Sequence, residues 1–220
     1  MLTRIILSAL LAGLIGGVVS FGTSMWKTTP IIVHAEVYED PAAAPTATED
    51  KVWAPKNGFE RNAYTFLSGL VTTIGFAFLL VGAIALSGRD VDWKKGLLWG
   101  LAAFGAIFAW PSLGLAPEPP GLVAADLAAR QIWWLGTVAS AAVALVLLFL
   151  VRGALWKGVG VILLAVPHII GAPGVVVEAG RVPAELASEF ASASLILTAL
   201  TFLVLGAMSG HFYRKFEHLG

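Results

Sequence analysis

Six stretches of the chain contain no charged residue, and each is long enough to cross a lipid bilayer. They are residues 5–26, 62–88, 96–117, 131–151, 158–177 and 190–213. A helix needs about 20 apolar residues to span the hydrocarbon core. We therefore predict an all-α, polytopic bundle of six transmembrane helices, a single transmembrane domain over residues 1–220. The fifth stretch is the weakest of the six, because its glycines and prolines lower its helix propensity.

The amino-acid composition argues against several classes of function. Charged residues make up only 13% of the chain, against about 25% in ordinary soluble domains. The formal net charge is zero and cysteine is absent, so we expect no nucleic-acid partner, no thiolate metal site and no cysteine nucleophile. The sequence also lacks a nucleotide-binding P-loop and the common hydrolase signatures. We predict that the protein is not an enzyme and holds no cofactor tightly.

The distribution of Lys and Arg predicts the orientation. With the N-terminus in the cytoplasm, the inside segments hold eight basic residues and the outside segments six. The inside residues are Arg4, Arg89, Lys94, Lys95, Arg152, Lys157, Arg214 and Lys215. The inside loops are also much shorter, so their basic density is higher, which favours cytoplasmic termini. The first apolar run exceeds the h-region of a signal peptide and lacks a clear cleavage site, so we interpret it as a transmembrane helix.

The long outer loop, at about residues 27–61, has two parts. Residues 41–48 are rich in Pro, Ala and Thr and are predicted to be a flexible insertion. Residues 30–40 are expected to be more structured, in one of two ways. An extended segment would put His34, Glu36 and Tyr38 on one face. If the first helix instead continues past a bend at Pro30, Glu36 faces Glu39 or Asp40.

One ionisable side chain, His168, lies at depth within an apolar run. Ionisable groups in the membrane are costly and usually functional. In the predicted topology His168 lies towards the outer end of its helix, on the side that also collects acidic residues and a second histidine. The candidate metal ligands are His168, His34, Glu36, Glu39, Glu60, Glu118 and Asp126. Imidazole and carboxylate ligands suit a borderline divalent ion such as Co²⁺, Ni²⁺ or Zn²⁺.

Each of these residues also has a purely structural interpretation. A single histidine near a helix end is more often packed or interfacial than a ligand, and loop carboxylates are usually solvated. Glu60 would stabilise the start of the second helix, where negative charge is favoured. Asp126 and Arg130 lie four residues apart and would pair on a short helix.

Small and aromatic residues predict how the helices pack. Gly13 and Gly17, and Gly96 and Gly100, lie four apart, which lets helix backbones approach closely. The tryptophans near span ends or within spans are interpreted as interface anchors. They are Trp93, Trp99, Trp110, Trp133, Trp134 and Trp156.

Several motifs, taken together, resemble those of a known family. They are Met1-Leu-Thr-Arg-Ile-Ile-Leu-Ser-Ala-Leu-Leu-Ala-Gly-Leu-Ile-Gly16, Ala35-Glu-Val-Tyr-Glu39, Gly58-Phe-Glu-Arg-Asn-Ala-Tyr-Thr65, Gly96-Leu-Leu-Trp-Gly-Leu-Ala-Ala-Phe104, Leu115-Ala-Pro-Glu-Pro-Pro-Gly121, Ala124-Ala-Asp-Leu-Ala-Ala-Arg-Gln-Ile-Trp-Trp134, and Pro167-His168 with Gly171-Ala-Pro173. The chain resembles the CbtA family of predicted cobalt transporter subunits over nearly its whole length. The resemblance implies five spans, so a five-span bundle without the first or the fifth run is the alternative to six.

The resemblance also implies a function. The chain would be a multi-pass subunit of the bacterial inner membrane that takes up cobalt for cobalamin metabolism, with Co²⁺ as the transported ion. Its partner would be a very short, single-span, histidine-containing subunit, CbtB. The alternative is a scaffold that does not transport and assembles or stabilises another complex. In that case the outer carboxylates would be partner contacts or solvated charge.

Overall fold

The computed structural model describes residues 1–38, 55–174 and 182–219, and the ordered elements in these ranges are all helical. These ranges contain eight α-helices and two π-helical segments, and each π segment joins one α-helix to the next. They are α1 (Leu2–Thr23), a first π segment (Ser24–Thr28), α2 (Thr29–Ala35), α3 (Phe59–Ser87), α4 (Trp93–Phe104), a second π segment (Gly105–Ala109), α5 (Trp110–Ser112), α6 (Leu127–Phe149), α7 (Ala154–Ile170) and α8 (Ala184–Lys215). The prediction of an all-α protein is confirmed over the described residues. Short 3-10 turns at Glu36–Tyr38 and Glu217–Leu219 end the first and the last helical stretches.

Each of the six apolar runs lies largely on a helix. Four helical stretches in the described ranges are long and apolar enough to cross a membrane: Leu2–Tyr38, Phe59–Ser87, Leu127–Phe149 and Ala184–Lys215. The third run is divided between α4, the second π segment and α5, and α7 has only 17 residues. Gly171 ends α7 early, because its φ of 87° lies in the left-handed region. The structure thus supports a multi-span protein, while the number six remains a prediction.

The first helix is longer than the sequence indicates. It continues from α1 through the first π segment and α2 to Tyr38, so residues 27–38 belong to a helix rather than to a loop. Of the two alternatives for residues 30–38, the continued helix is the one observed. Pro30 lies within this continuous stretch, two residues after the end of the π segment Ser24–Thr28. Local π adjustments are one way in which membrane helices accommodate the missing N–H of a proline. The Pro/Ala/Thr stretch at 41–48 lies outside the described residues, and its flexibility remains a prediction.

Glycines set the closest helix contacts. A Cβ atom at Gly13 would lie 2.5 Å from Ile74 Cα of α3, and one at Gly206 would meet the Gly96 carbonyl oxygen of α4. These contacts join α1 to α3 and α4 to α8, as the spacing of small residues predicts. A buried cluster that includes Val81 and Leu205 fills the space between them.

Both termini lie at one end of the bundle. The Met1 ammonium donates to the Leu219 carbonyl oxygen at 3.2 Å, and Arg4 Nε donates to the Tyr213 carbonyl oxygen at 2.6 Å. The Arg4 guanidinium also lies 3.7 Å from the centre of the Tyr213 ring, within range of a cation–π interaction. The two ends of the described chain therefore lie together. That both face the cytoplasm remains a prediction from the basic residues.

Candidate functional site

His168 lies near the C-terminal end of α7, where two tryptophans from other elements surround it. The ring centres of Trp110 and Trp133 lie 5.2 and 5.8 Å from that of His168, both in edge-to-face arrangements. The Nε2 atom of His168 is inaccessible to solvent and has no hydrogen-bond partner among the described residues. Most buried polar atoms in proteins are paired, so an unpaired one calls for an explanation. His168 Nε2 is thus free to accept a ligand that the described residues do not supply.

The same two tryptophans also fix the backbone of α7. Trp110 Nε1 donates to the Leu164 carbonyl oxygen at 3.0 Å, and Trp133 Nε1 donates to the Pro167 carbonyl oxygen at 3.1 Å. The last carbonyls of a helix lack intrahelical partners, and a proline within the helix removes one further backbone donor. The two indole N–H groups donate to carbonyls in this part of α7, and the Pro167 carbonyl also accepts from Gly171 N at 3.1 Å. This end of α7 is therefore held against α5 and α6, with the imidazole between the two indoles.

Two of the predicted acidic ligands form ion pairs with arginines. Glu36, at the end of the first helical stretch, pairs with Arg61 of α3, and one of their hydrogen bonds measures 3.1 Å. Glu118 pairs with Arg130 of α6 at 2.9 Å. Both pairs are partly exposed, with about a quarter to a third of each side chain accessible. A cation that bound either carboxylate would have to compete with an arginine.

Asp126 and Glu60 mark helix starts. The Asp126 carboxylate accepts a hydrogen bond from Ala129 N at 2.9 Å and caps α6. The interpretation that Asp126 pairs with the side chain of Arg130 is wrong, because that arginine binds Glu118 instead. Glu60 lies in the first turn of α3, where its charge is favoured by the helix dipole, in agreement with its structural interpretation.

Two predicted ligands remain, His34 and Glu39. His34 is exposed on α2, and its ring centre lies 6.1 Å from that of Tyr38. Glu39 lies outside the described residues. Within the described ranges no three His, Asp or Glu side chains converge closely enough to hold a metal ion. The described structure thus shows an aromatic environment at His168 and two ion-paired carboxylates, and the metal-ligand set remains a prediction.

A cavity of about 360 Å³ adjoins the Glu118–Arg130 pair. Its walls are mostly apolar and include Pro111, which follows Trp110, and Trp134, which follows Trp133. The cavity therefore lies beside α5 and α6, which carry the two indoles, but neither indole nor His168 lines it. The prediction that Trp110 and Trp133 are interface anchors does not include their contacts with α7. Their positions within apolar runs indicate that they are buried in the membrane, but no sequence pattern shows that they contact α7.

The comparisons with known proteins agree with the membrane architecture. The family model described as "probable cobalt transporter subunit (CbtA)" matches residues 2–214, nearly the whole chain. This description is of a probable transporter subunit and not of an enzyme, and the word subunit implies a partner chain. No curated protein and no solved structure shows significant similarity to the chain.

Proposed function

Because the chain belongs to the CbtA family of probable cobalt transporter subunits, we propose that it is the membrane subunit through which Co²⁺ enters the cell for cobalamin metabolism. The observation that supports this proposal is the buried Nε2 atom of His168, which has no partner among the described residues and lies near the end of the apolar helix α7. Imidazole nitrogen is a suitable ligand for first-row divalent ions, including Co²⁺. A site of few ligands also releases its ion readily, as conduction requires.

The proposed route begins at the end of the bundle opposite the termini. The candidate carboxylates and His34 would raise the local concentration of cations there. The ion would exchange against arginine at Glu118, pass the adjoining cavity and reach His168 between Trp110 and Trp133. The ion-pair geometry supports this order, because partly exposed pairs are weak enough to open.

The proposal also covers the orientation of the chain in the membrane and its partner subunit. Basic residues favour cytoplasmic termini in a bacterial inner membrane, so the carboxylates would face outward. The partner would be the short, histidine-containing subunit expected for this family. A divalent cation that enters a cell with a negative interior gains about 4.6 kcal/mol per 100 mV, so the membrane potential alone could drive uptake.

A second candidate function, assembly or stabilisation of another membrane complex, is favoured by one observation. Glu36 and Glu118 are both occupied by arginines, and the described residues offer no cluster of three metal ligands. In a scaffold these pairs would fix the outer ends of the helices for contact with a partner.

The test is uptake of radioactive cobalt by cells that express the chain with and without its small partner. The variants are His168→Ala and, as a matched control, His218→Ala, which changes an exposed histidine after α8. We expect uptake to fall with His168→Ala and to persist with His218→Ala at equal amounts of membrane protein. Normal uptake by His168→Ala would refute the role of that residue. No uptake in any combination would favour the scaffold.

A further inference from the structure

A second cavity, of about 190 Å³, lies between the first helical stretch and α8 and is lined mainly by hydroxyl groups. The first stretch contributes Ser20, Thr23, Ser24 and Thr28. From α8 come Ser194, Thr198 and Thr201. None of its lining residues is acidic, basic or a histidine, so it differs in chemistry from the environment of His168. A polar cavity of this size inside a membrane bundle has room for an ion with bound water.

Three of the threonines that line the cavity donate their hydroxyl protons within their own helices. Thr28 Oγ1 donates to the Ser24 carbonyl oxygen at 3.3 Å, and Thr201 Oγ1 donates to the Leu197 carbonyl oxygen at 2.9 Å. Thr23 likewise donates to carbonyls of its own helix. A hydroxyl has one proton and two lone pairs, so each of these side chains has only acceptor capacity left. These three hydroxyls therefore favour a cation over an anion.

The first π segment helps to form this cavity. Residues Ser24–Thr28 take up the wider π turn, and two of them, Ser24 and Thr28, line the cavity. Isolated π turns inside α-helices are rare and occur frequently at functional sites. Both hydroxyls line the cavity on the side of α8.

The two ends of the cavity differ. At one end Lys27, the neighbour of Thr28, forms a 2.6 Å ion pair with Glu189, the neighbour of the lining residue Phe190. Nearly half of each side chain in this pair is exposed, so the end is accessible. Towards the other end, fully buried Leu205 lies against Gly16, where a Cβ atom would come within 2.9 Å of Leu205 Cδ1. The cavity thus reaches from the accessible end to Thr201, near the middle of α8, and is closed beyond it.

We infer that this hydroxyl cavity binds a small monovalent cation of the Na⁺ class. Hard cations prefer oxygen ligands, and neutral hydroxyls replace water oxygens without supplying a compensating charge. A divalent ion among neutral groups in a low-dielectric site would keep two uncompensated charges, which costs far more than one. Bound Na⁺ at this position would allow an ion gradient to act on the packing of α1 against α8.

The test measures binding of radioactive sodium to the purified full-length chain in lipid nanodiscs, without cobalt. The wild-type chain should bind Na⁺ saturably, with displacement by unlabelled Na⁺ and none by choline at equal ionic strength. Thr201→Val keeps the side-chain shape and removes one oxygen, so binding should weaken about tenfold. The matched control is Thr137→Val, because Thr137 is equally buried and bonded to its own helix at Trp133 but lies outside the cavity.

A second cavity variant, Ser194→Ala, tests the same prediction at a half-buried position where the fold tolerates a smaller side chain. Saturable binding that weakens in both cavity variants and persists in Thr137→Val supports the inference. Absence of saturable binding by the wild-type chain, or equal weakening in the control, would overturn it and leave a cavity that holds water only. Neither outcome bears on cobalt uptake, because the assay contains no cobalt.

Discussion

Replacing His168 by phenylalanine should separate stability from transport. Phenylalanine keeps an aromatic ring against Trp110 and Trp133, and it removes the nitrogen that lacks a hydrogen-bond partner. A buried unsatisfied polar group costs about 1–3 kcal/mol, so the variant should be at least as stable as the wild type. Uptake of cobalt should nevertheless be lost, because no ligand atom remains at this position.

His168→Ala provides the comparison. Alanine removes both edge-to-face contacts, which contribute about 0.5–1.5 kcal/mol each beyond simple burial. The free energy of unfolding of His168→Ala should therefore fall about 1–3 kcal/mol below that of His168→Phe. Both variants should lack uptake.

The assay is unfolding of the purified chain in mixed micelles, together with cobalt uptake by cells that contain equal amounts of each variant. An unfolding free energy of His168→Phe clearly below that of the wild type would show that the imidazole nitrogen is paired in the folded protein. Uptake by His168→Phe at the wild-type rate would show that the nitrogen is no ligand. Either result would refute the reasoning.

Three further predictions concern packing, capture and pH. Gly206→Ala would force a Cβ atom against the Gly96 carbonyl oxygen of α4 and should lower the unfolding free energy by about 1–3 kcal/mol. Gly136→Ala is the control and should leave the unfolding free energy unchanged, because a Cβ atom at Gly136 meets no other atom within 4 Å. Arg130→Gln should free Glu118 from its ion pair and lower the KM of cobalt uptake with little loss of stability; an unchanged KM would argue against capture at Glu118. The pKa of the Asp92 carboxyl is lowered, chiefly because the carboxylate accepts a hydrogen bond from Lys95 N at the start of α4. The stabilisation that this carboxylate contributes is fully present above the ordinary Asp pKa. It is lost as the pH falls through the lowered value. The stability difference between Asp92→Ala and wild type, measured against pH, should therefore shrink on acidification.

The sequence predicts the helical architecture well because that architecture depends on local signals. Every apolar run lies largely on a helix, and the glycine pairs in α1 and α4 make the close contacts expected of them. The continuation of the first helix to Tyr38 was one of two open alternatives, and Pro30 alone could not decide between them. The π segments were not predicted, because a π turn has no distinctive composition and depends on the helix packed against it.

The candidate site was predicted less completely because its contacts are long-range. His168 was identified from its burial in an apolar run, but its neighbours come from α5 and α6, and no local pattern connects them to α7. The arginine partners of Glu36 and Glu118 were missed for the same reason. Composition indicated acidic residues on one side of the membrane, and only the fold shows that two of them are paired.

The most direct test of cobalt transport uses proteoliposomes that contain the purified chain and its small partner. The liposomes hold a fluorescent cobalt chelator, and a potassium gradient with valinomycin makes the interior negative. Transport predicts saturable entry of Co²⁺ that increases with the imposed potential and is absent from liposomes containing His168→Phe. Entry no faster than in protein-free liposomes, with both chains correctly inserted, would contradict the proposal that this protein forms the route for cobalt.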